Sequence, residues 1–158
     1  MSLTPTQLQT LKAAILADPV LNAYLNNSDG AYEIAAALNL PASPDFIVWR
    51  SSLTPELSRS AIINGAVQLD NLTVGKRDAL LYMAQGTLDC RITAVRTALD
   101  DLCGTQNTLK ASLLAAEKRK ASVVEKMLAS GTGSDVSPGV TTFEGAISYQ
   151  DVQLARGS

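Results

Sequence analysis

The sequence predicts a mainly α protein: a small helical bundle followed by a flexible linker and an extended C-terminal arm. Three observations lead there. Helix-start signals recur between Thr4 and Ala129. Aromatic residues make up only 4% of a chain that is 46% apolar. At Ser130 the composition changes into a run rich in glycine and serine. A core drawn from Leu, Ala, Val and Ile favours helices packed at short range over a sheet sandwich. With 158 residues the chain has the length of one domain.

The first helix is announced by Thr4-Pro5-Thr6-Gln7, an N-cap, a proline at the first helical position and a glutamine placed for a capping box. Leu8, Leu11 and Ile15 follow at helical spacing, and Pro19 ends the run near Ala17. A short helical turn is expected over 20–25. Asn26-Asn27-Ser28-Asp29-Gly30 is a turn, with Ser28 or Asp29 capping a helix that carries Ala31, Ile34, Ala35 and Leu38 on one face. Prolines at 41 and 44 keep the next segment extended, and Phe46-Ile47-Val48-Trp49 is apolar enough for either a strand or a helical turn.

Thr54-Pro55 opens a helix that ends near Asn64-Gly65, Thr73 caps another that closes at Gly86, and Asp89 is expected to cap the next. Ile92, Val95, Leu99 and Leu102 form the apolar stripe of that helix, and Gly104 ends it. The longest helix is expected over 108–129, with Glu117, Lys118, Arg119, Lys120, Glu125 and Lys126 on its outer side. The division that results is a helical body over 1–129, a flexible linker over 130–139 (SGTGSDVSPG) and a docking arm over 140–158. In the arm, a short strand near Phe143 precedes a helical turn capped by Ser148.

Composition narrows the chemistry. Histidine is absent, which removes the commonest general base, the Ser-His-Asp and Cys-His mechanisms and most transition-metal sites. Cys90 and Cys103 flank a stretch that reads as one helix, which would set them about 19 Å apart, too far for a disulfide. Asp100 and Asp101 point to different faces of a helix, so they do not form a carboxylate pair. Gly131-Thr132-Gly133 lacks the third glycine and the preceding strand of a dinucleotide loop. These readings predict no catalytic residue, no metal and no cofactor.

A net charge of -2 and a pI near 5.0 supply no general attraction for nucleic acid or an anionic membrane. No run has the roughly 18 apolar residues of a membrane span, and MSLTPTQLQT has no signal-peptide character, so synthesis in the cytoplasm is expected. The basic run Lys118, Arg119, Lys120 suits a solvated helix face that could orient the chain against an acidic partner. Trp49 is either a core anchor or an interface anchor.

Four stretches carry a resemblance in collinear order over nearly the whole chain. They are NNSDGAYEIAAALNLPASPDFIVWRSSL (26–53), LTVGKRDALLYM (72–83), KASVVEKMLASGTG (120–133) and TTFEGAISYQDVQLAR (141–156). The chain resembles a family of small proteins encoded by tailed bacteriophages and prophages, most like head-to-tail connector, or neck adaptor, proteins. The resemblance implies a structural subunit of the virion, made in the bacterial cytoplasm. It implies a homo-oligomeric ring, a dodecamer in such adaptors, between the portal protein and tail or neck proteins, with DNA passing through it without sequence-specific binding. It brings no catalytic residue.

Within that expectation Phe143, Ile147, Tyr149, Val152 and Leu154 are the partner-binding residues of the arm, and Lys118, Arg119, Lys120 and Trp49 those of the body. The arm docks either on a neighbouring subunit or the portal, or on its own body. Two other classes compete: another virion part, such as a tail-completion or minor head protein, and a helical regulatory or DNA-binding module. The acidic pI and the lack of a basic recognition helix weigh against the second.

Overall fold

In the computed structural model, which describes residues 3–157, the chain is mainly α-helical, as the composition predicts. Met1, Ser2 and Ser158, at the ends of the expected body and arm, lie outside the described residues. The chain divides into two compact units that do not follow the sequence division. Unit 1 comprises Met1–Val48 and Lys120–Ser158, and unit 2 comprises Trp49–Arg119. The chain passes from the first to the second within β1 (Ile47–Trp49) and returns within β2 (Lys118–Lys120).

Unit 1 contains α1 (Pro5–Ala17), α2 (Pro19–Asn22), α3 (Ser28–Leu38), α9 (Val123–Met127), β3 (Ala129–Ser130), β4 (Val140–Thr141) and α10 (Tyr149–Arg156). The capping box of α1 forms as read: Thr4 Oγ1 accepts from Gln7 N–H, and Gln7 Oε1 accepts from Thr4 N–H at 2.8 Å. The cap of α3 is Asn27 rather than Ser28 or Asp29; its Oδ1 accepts from Gly30 N–H at 2.9 Å. The expected face of α3, with Ala31, Ile34, Ala35 and Leu38, is buried against Leu11 and Ile15 of α1 and Val152 and Ala155 of α10 in one core.

The expected long helix over 108–129 is two helices with extended chain between them. The first, α8 (Asn107–Ala116), is followed by the extended β2, and Ser122 starts α9 with a capping box of its own. Ser122 N–H donates to Glu125 Oε2 at 2.9 Å, and Ser122 Oγ accepts from Glu125 N–H. That reciprocal pair satisfies donors which a continuous helix would have bonded to its preceding turn.

The segment 130–139 is not a free linker. Ser130 belongs to β3, and 131–139 form the loop of a hairpin in which β3 and β4 pair antiparallel, Ala129 opposite Thr141 and Ser130 opposite Val140. Ile47 N–H donates to Gly133 O at 2.7 Å and Gly139 N–H to Ile47 O at 2.8 Å, so the loop is stitched to the first half of β1. Glycine is required at 133: φ is +66°, and a Cβ there would lie 2.2 Å from the Phe46 ring.

Residues 140–157 are likewise an integral part of unit 1 rather than a separate arm. Phe143, Ile147 and Val152 are buried in the core. Asn39 clamps Ile147 at both main-chain groups, donating from Nδ2 to its O and accepting its N–H at Oδ1, each at 2.9 Å. Buried Glu125 accepts Gly145 N–H at 2.9 Å, and Arg156 donates to Tyr24 O and Leu25 O. The apolar faces of α1 and α3 need a third element to leave water, and α10 supplies it with Val152 and Ala155 one turn apart.

Unit 2 contains α4 (Pro55–Asn64), α5 (Ala66–Leu69), α6 (Val74–Met83), α7 (Thr93–Cys103) and α8 (Asn107–Ala116) around Leu53, Ile62, Leu80, Leu99, Leu109 and Leu113. Thr54 caps α4 as expected, and Thr73 stands at the N-cap of α6 without a side-chain hydrogen bond. Asp89 is not a cap. α7 begins later, with Ile92 at its N-cap, and the Asp89 carboxylate binds Arg91, with Nη2 to Oδ2 at 2.7 Å. Cys90 therefore lies outside α7, and both cysteines are free, buried thiols. Among the described residues no helix is long and apolar enough to cross a membrane.

Candidate functional site

The fold separates the residues that the sequence singles out for partner binding. Phe143, Ile147 and Val152 are buried in the core of unit 1 and cannot present themselves to a partner while that core is intact. Tyr149 stacks on Tyr32, with ring centroids 4.1 Å apart, which ties α10 to α3. Of the arm residues only Leu154 is turned to water, at 64% exposure. The basic run is not one helix face: Lys118 and Arg119 belong to unit 2, Lys120 to unit 1, where its ammonium meets Asp45 at 2.6 Å. Lys126, also in unit 1, lies over the Phe46 ring.

Trp49 borders a cleft of about 240 Å³ in unit 2, between α7 and α8. Its walls are Trp49, Leu99, Cys103, Leu113 and Leu114, with Arg96, Asp100, Lys110 and Glu117 as the charged groups. Arg96 lies 4.4 Å from the centre of the Trp49 ring, a cation–π contact. Three of its five N–H groups are engaged: Nη1 donates to Cys90 O at 2.6 Å and Arg91 O at 2.9 Å, and Nη2 donates to Thr93 Oγ1 at 2.9 Å. Lys110 binds Asp100, Nζ to Oδ1 at 2.6 Å, a pairing that raises the ammonium above its ordinary value.

Glu117 is the buried charge of the cleft, at 4% exposure. Burial pushes its carboxyl up to about 7; Arg96 and Lys118 oppose the rise, and Asp100 adds to it. Burial likewise lifts the Cys103 thiol to about 11 and the Cys90 thiol to about 12, so neither is a thiolate at neutral pH. Chemically the cleft can hold or exchange a proton at Glu117 and receive an apolar group. It contains no activated nucleophile. Among the described residues no group of three or more His, Cys, Asp or Glu is arranged to hold a metal.

The sequence hides this site because Glu117 sits in a charged run that reads as the outer face of a long helix. A signal was present: Leu109, Leu113 and Glu117 recur every four residues, so the carboxylate continues the buried stripe of α8. Comparison of the chain with models of known protein families, with curated proteins and with solved structures finds no match.

Glu117 should make stability depend on pH. Its folded value, about 7, exceeds the ordinary 4.5, so the folded state holds this proton more tightly than the unfolded chain does. The associated stability is complete below about pH 4.5 and is lost as pH rises through about 7. A shift of this size corresponds to about 3 kcal/mol in a sealed interior, and solvent screening through the open mouth of the cleft reduces that to about 1–2 kcal/mol. Denaturant unfolding at pH 5 and pH 8 should show Glu117→Gln more stable than wild type at pH 8 by about that amount, with the difference gone at pH 5. Equal pH dependence in both proteins would show that Glu117 is not the group responsible.

Proposed function

We propose that the chain is a non-catalytic structural subunit of a tailed-bacteriophage virion, a head-to-tail connector that assembles as a ring between portal and tail proteins. The collinear resemblance over four stretches supports this reading, and one feature of the surface carries it. In unit 2, Arg59, Ile62, Ile63, Leu81, Ala84 and Gln85 line an almost wholly apolar groove of about 440 Å³. Around unit 2, Ile63, Val67, Val74 and Tyr82 stand in water, Val67 at 88% and Tyr82 at 76% exposure. Charged residues are 18% of the chain, against about 25% in an average globular domain, so this surface is apolar without a compensating excess of charge. An exposed apolar groove of this kind is a common mark of a protein interaction site.

The connecting surface is accordingly assigned to the helices of unit 2, and the C-terminal segment to holding unit 1 together. Ile63→Asp combined with Val67→Asp should leave the helical circular dichroism and the unfolding midpoint nearly unchanged, because both side chains already face water. The same double variant should fail to co-sediment with the phage's own portal protein, which the wild-type chain should bind. Wild-type co-sedimentation by the double variant would remove this surface from the connecting role.

A further inference from the structure

The cleft of unit 2 contains one buried carboxyl that Arg96 and Lys118 offset only in part, so that burial still holds it well above its ordinary value. Three of the five Arg96 donors go to two carbonyls and a hydroxyl, and Lys110 is paired with Asp100. The hydrogen bonds of Glu117 among the described residues are those of its main chain: its N–H donates to Leu113 O at 2.9 Å, and its O accepts Arg50 N–H at 2.8 Å. The residue as a whole is more than nine-tenths buried, and it borders the cavity. Glu117 is also the C-cap of α8, a ten-residue helix, so the negative end of the helix dipole faces the same place. An anion is disfavoured at that end and a cation is favoured. The volume, about 240 Å³, is more than tenfold the roughly 10–15 Å³ that one water requires.

A buried carboxylate is stabilised by an entering cation, and the remaining walls, Trp49, Leu113 and Leu114, suit hydrocarbon. We propose that the cleft is a binding site for an alkylammonium group, with Glu117 receiving the charge and Trp49, Leu113 and Leu114 the apolar stem. A phosphate or carboxylate ligand fits poorly, because both cationic side chains of the cleft are engaged and the open group is an acid. The same chemistry is offered by a free alkylamine and by a lysine side chain of a protein partner. The ionisable groups around Glu117 are Arg96, Asp100 and Cys103 from α7, Lys110 on α8, the adjoining Lys118, the Cys90 thiol, and Arg50, whose Nε donates to Ala116 O at 2.8 Å. Ionisation of Glu117 near neutrality, with the Cys103 thiol protonated, makes the cleft's affinity for a cation rise with pH.

Trp49 is the single tryptophan of the chain and lines the cleft, so its fluorescence reports occupancy directly. The full-length protein is titrated at constant ionic strength with n-butylammonium, which stays charged at pH 6 and pH 8 as a lysine side chain does. A saturable change in the millimolar range is expected at pH 8, with roughly tenfold weaker binding at pH 6, where about a tenth of a carboxyl titrating near 7 is ionised. Glu117→Gln should abolish the pH 8 response while still unfolding cooperatively, and n-butanol and butyrate should give none. Nα-acetyl-lysine methylamide binding as well as butylammonium would assign the site to a lysine of a partner; binding of butylammonium alone would assign it to a free amine. No saturable response at pH 8, an equal response to butanol, or the same affinity at both pH values would overturn the proposal. The pH comparison needs no variant, and none of these readings depends on ring assembly.

Discussion

A chain ended at Ser130 should lose the cooperative unfolding of unit 1 while unit 2 keeps its own. The segment removed carries Phe143, Ile147, Val152 and Ala155, all buried among the side chains of α1 and α3. It also carries both main-chain groups held by Asn39, the Gly145 N–H held by Glu125 and the strand that pairs with β3. Deleting a single large core side chain costs about 2–5 kcal/mol, and the whole stability of a domain is about 5–15 kcal/mol, so losing three such residues together exceeds what unit 1 can absorb. Hydrogen exchange should show α3 amides unprotected in the truncated chain and α8 amides protected much as before. Full protection of α3 without residues 131–158 would mean that the segment is an accessory arm after all. Phe143→Ala, read from the sequence as loss of an interface anchor, should instead cost about 3–5 kcal/mol of unit 1 stability.

Gly30→Ala should destabilise unit 1, against the sign that helix propensity gives. Gly30 lies within α3, where alanine is favoured over glycine by about 1 kcal/mol in an exposed helix interior. Here a Cβ would stand 2.0 Å from the main-chain oxygen of Leu25, at the turn leading into the helix. That oxygen also accepts from Arg156 Nη1, so the turn cannot move without disturbing its tie to α10. A 2.0 Å approach to backbone belongs at the upper end of the about 1–3 kcal/mol that overpacking costs, so a net loss of about 2 kcal/mol remains after a propensity gain of about 1 kcal/mol. Urea unfolding should report it, and Gly75→Ala is the control: nothing lies within 4 Å of that Cβ, so the helix-favouring sign should return there.

Local chemistry was legible in the sequence wherever a few neighbouring residues decide it. Thr4, Thr54 and Ser148 cap their helices as read, and the buried face of α3 follows from spacing alone. The errors fall where distant residues decide. Lys118, Arg119 and Lys120 have helix-compatible side chains, and only Ser122 with Glu125 shows that a new helix starts behind them. The glycines at 133 and 139 read as freedom because the ring that requires them, Phe46, is some ninety residues away in sequence. Unit 1 is assembled from both ends of the chain, so the partner of α1 and α3 could not be found by reading along it. The Glu117 cleft failed for the same reason. Charge placed Glu117 outside; its step of four from Leu113 places it inside, and Arg96 and Trp49 come from other parts of unit 2.

The proposed connecting role makes its most direct prediction about particles. A tailed phage carrying this gene, with the gene deleted and the wild-type chain supplied in trans, should produce joined infectious particles, and electron microscopy should place the chain as a ring at the junction of head and tail. Without the chain, filled heads and finished tails should accumulate unjoined, and the Ile63→Asp, Val67→Asp double variant should not restore joining. Normal yields of joined particles in the absence of the chain would contradict the account.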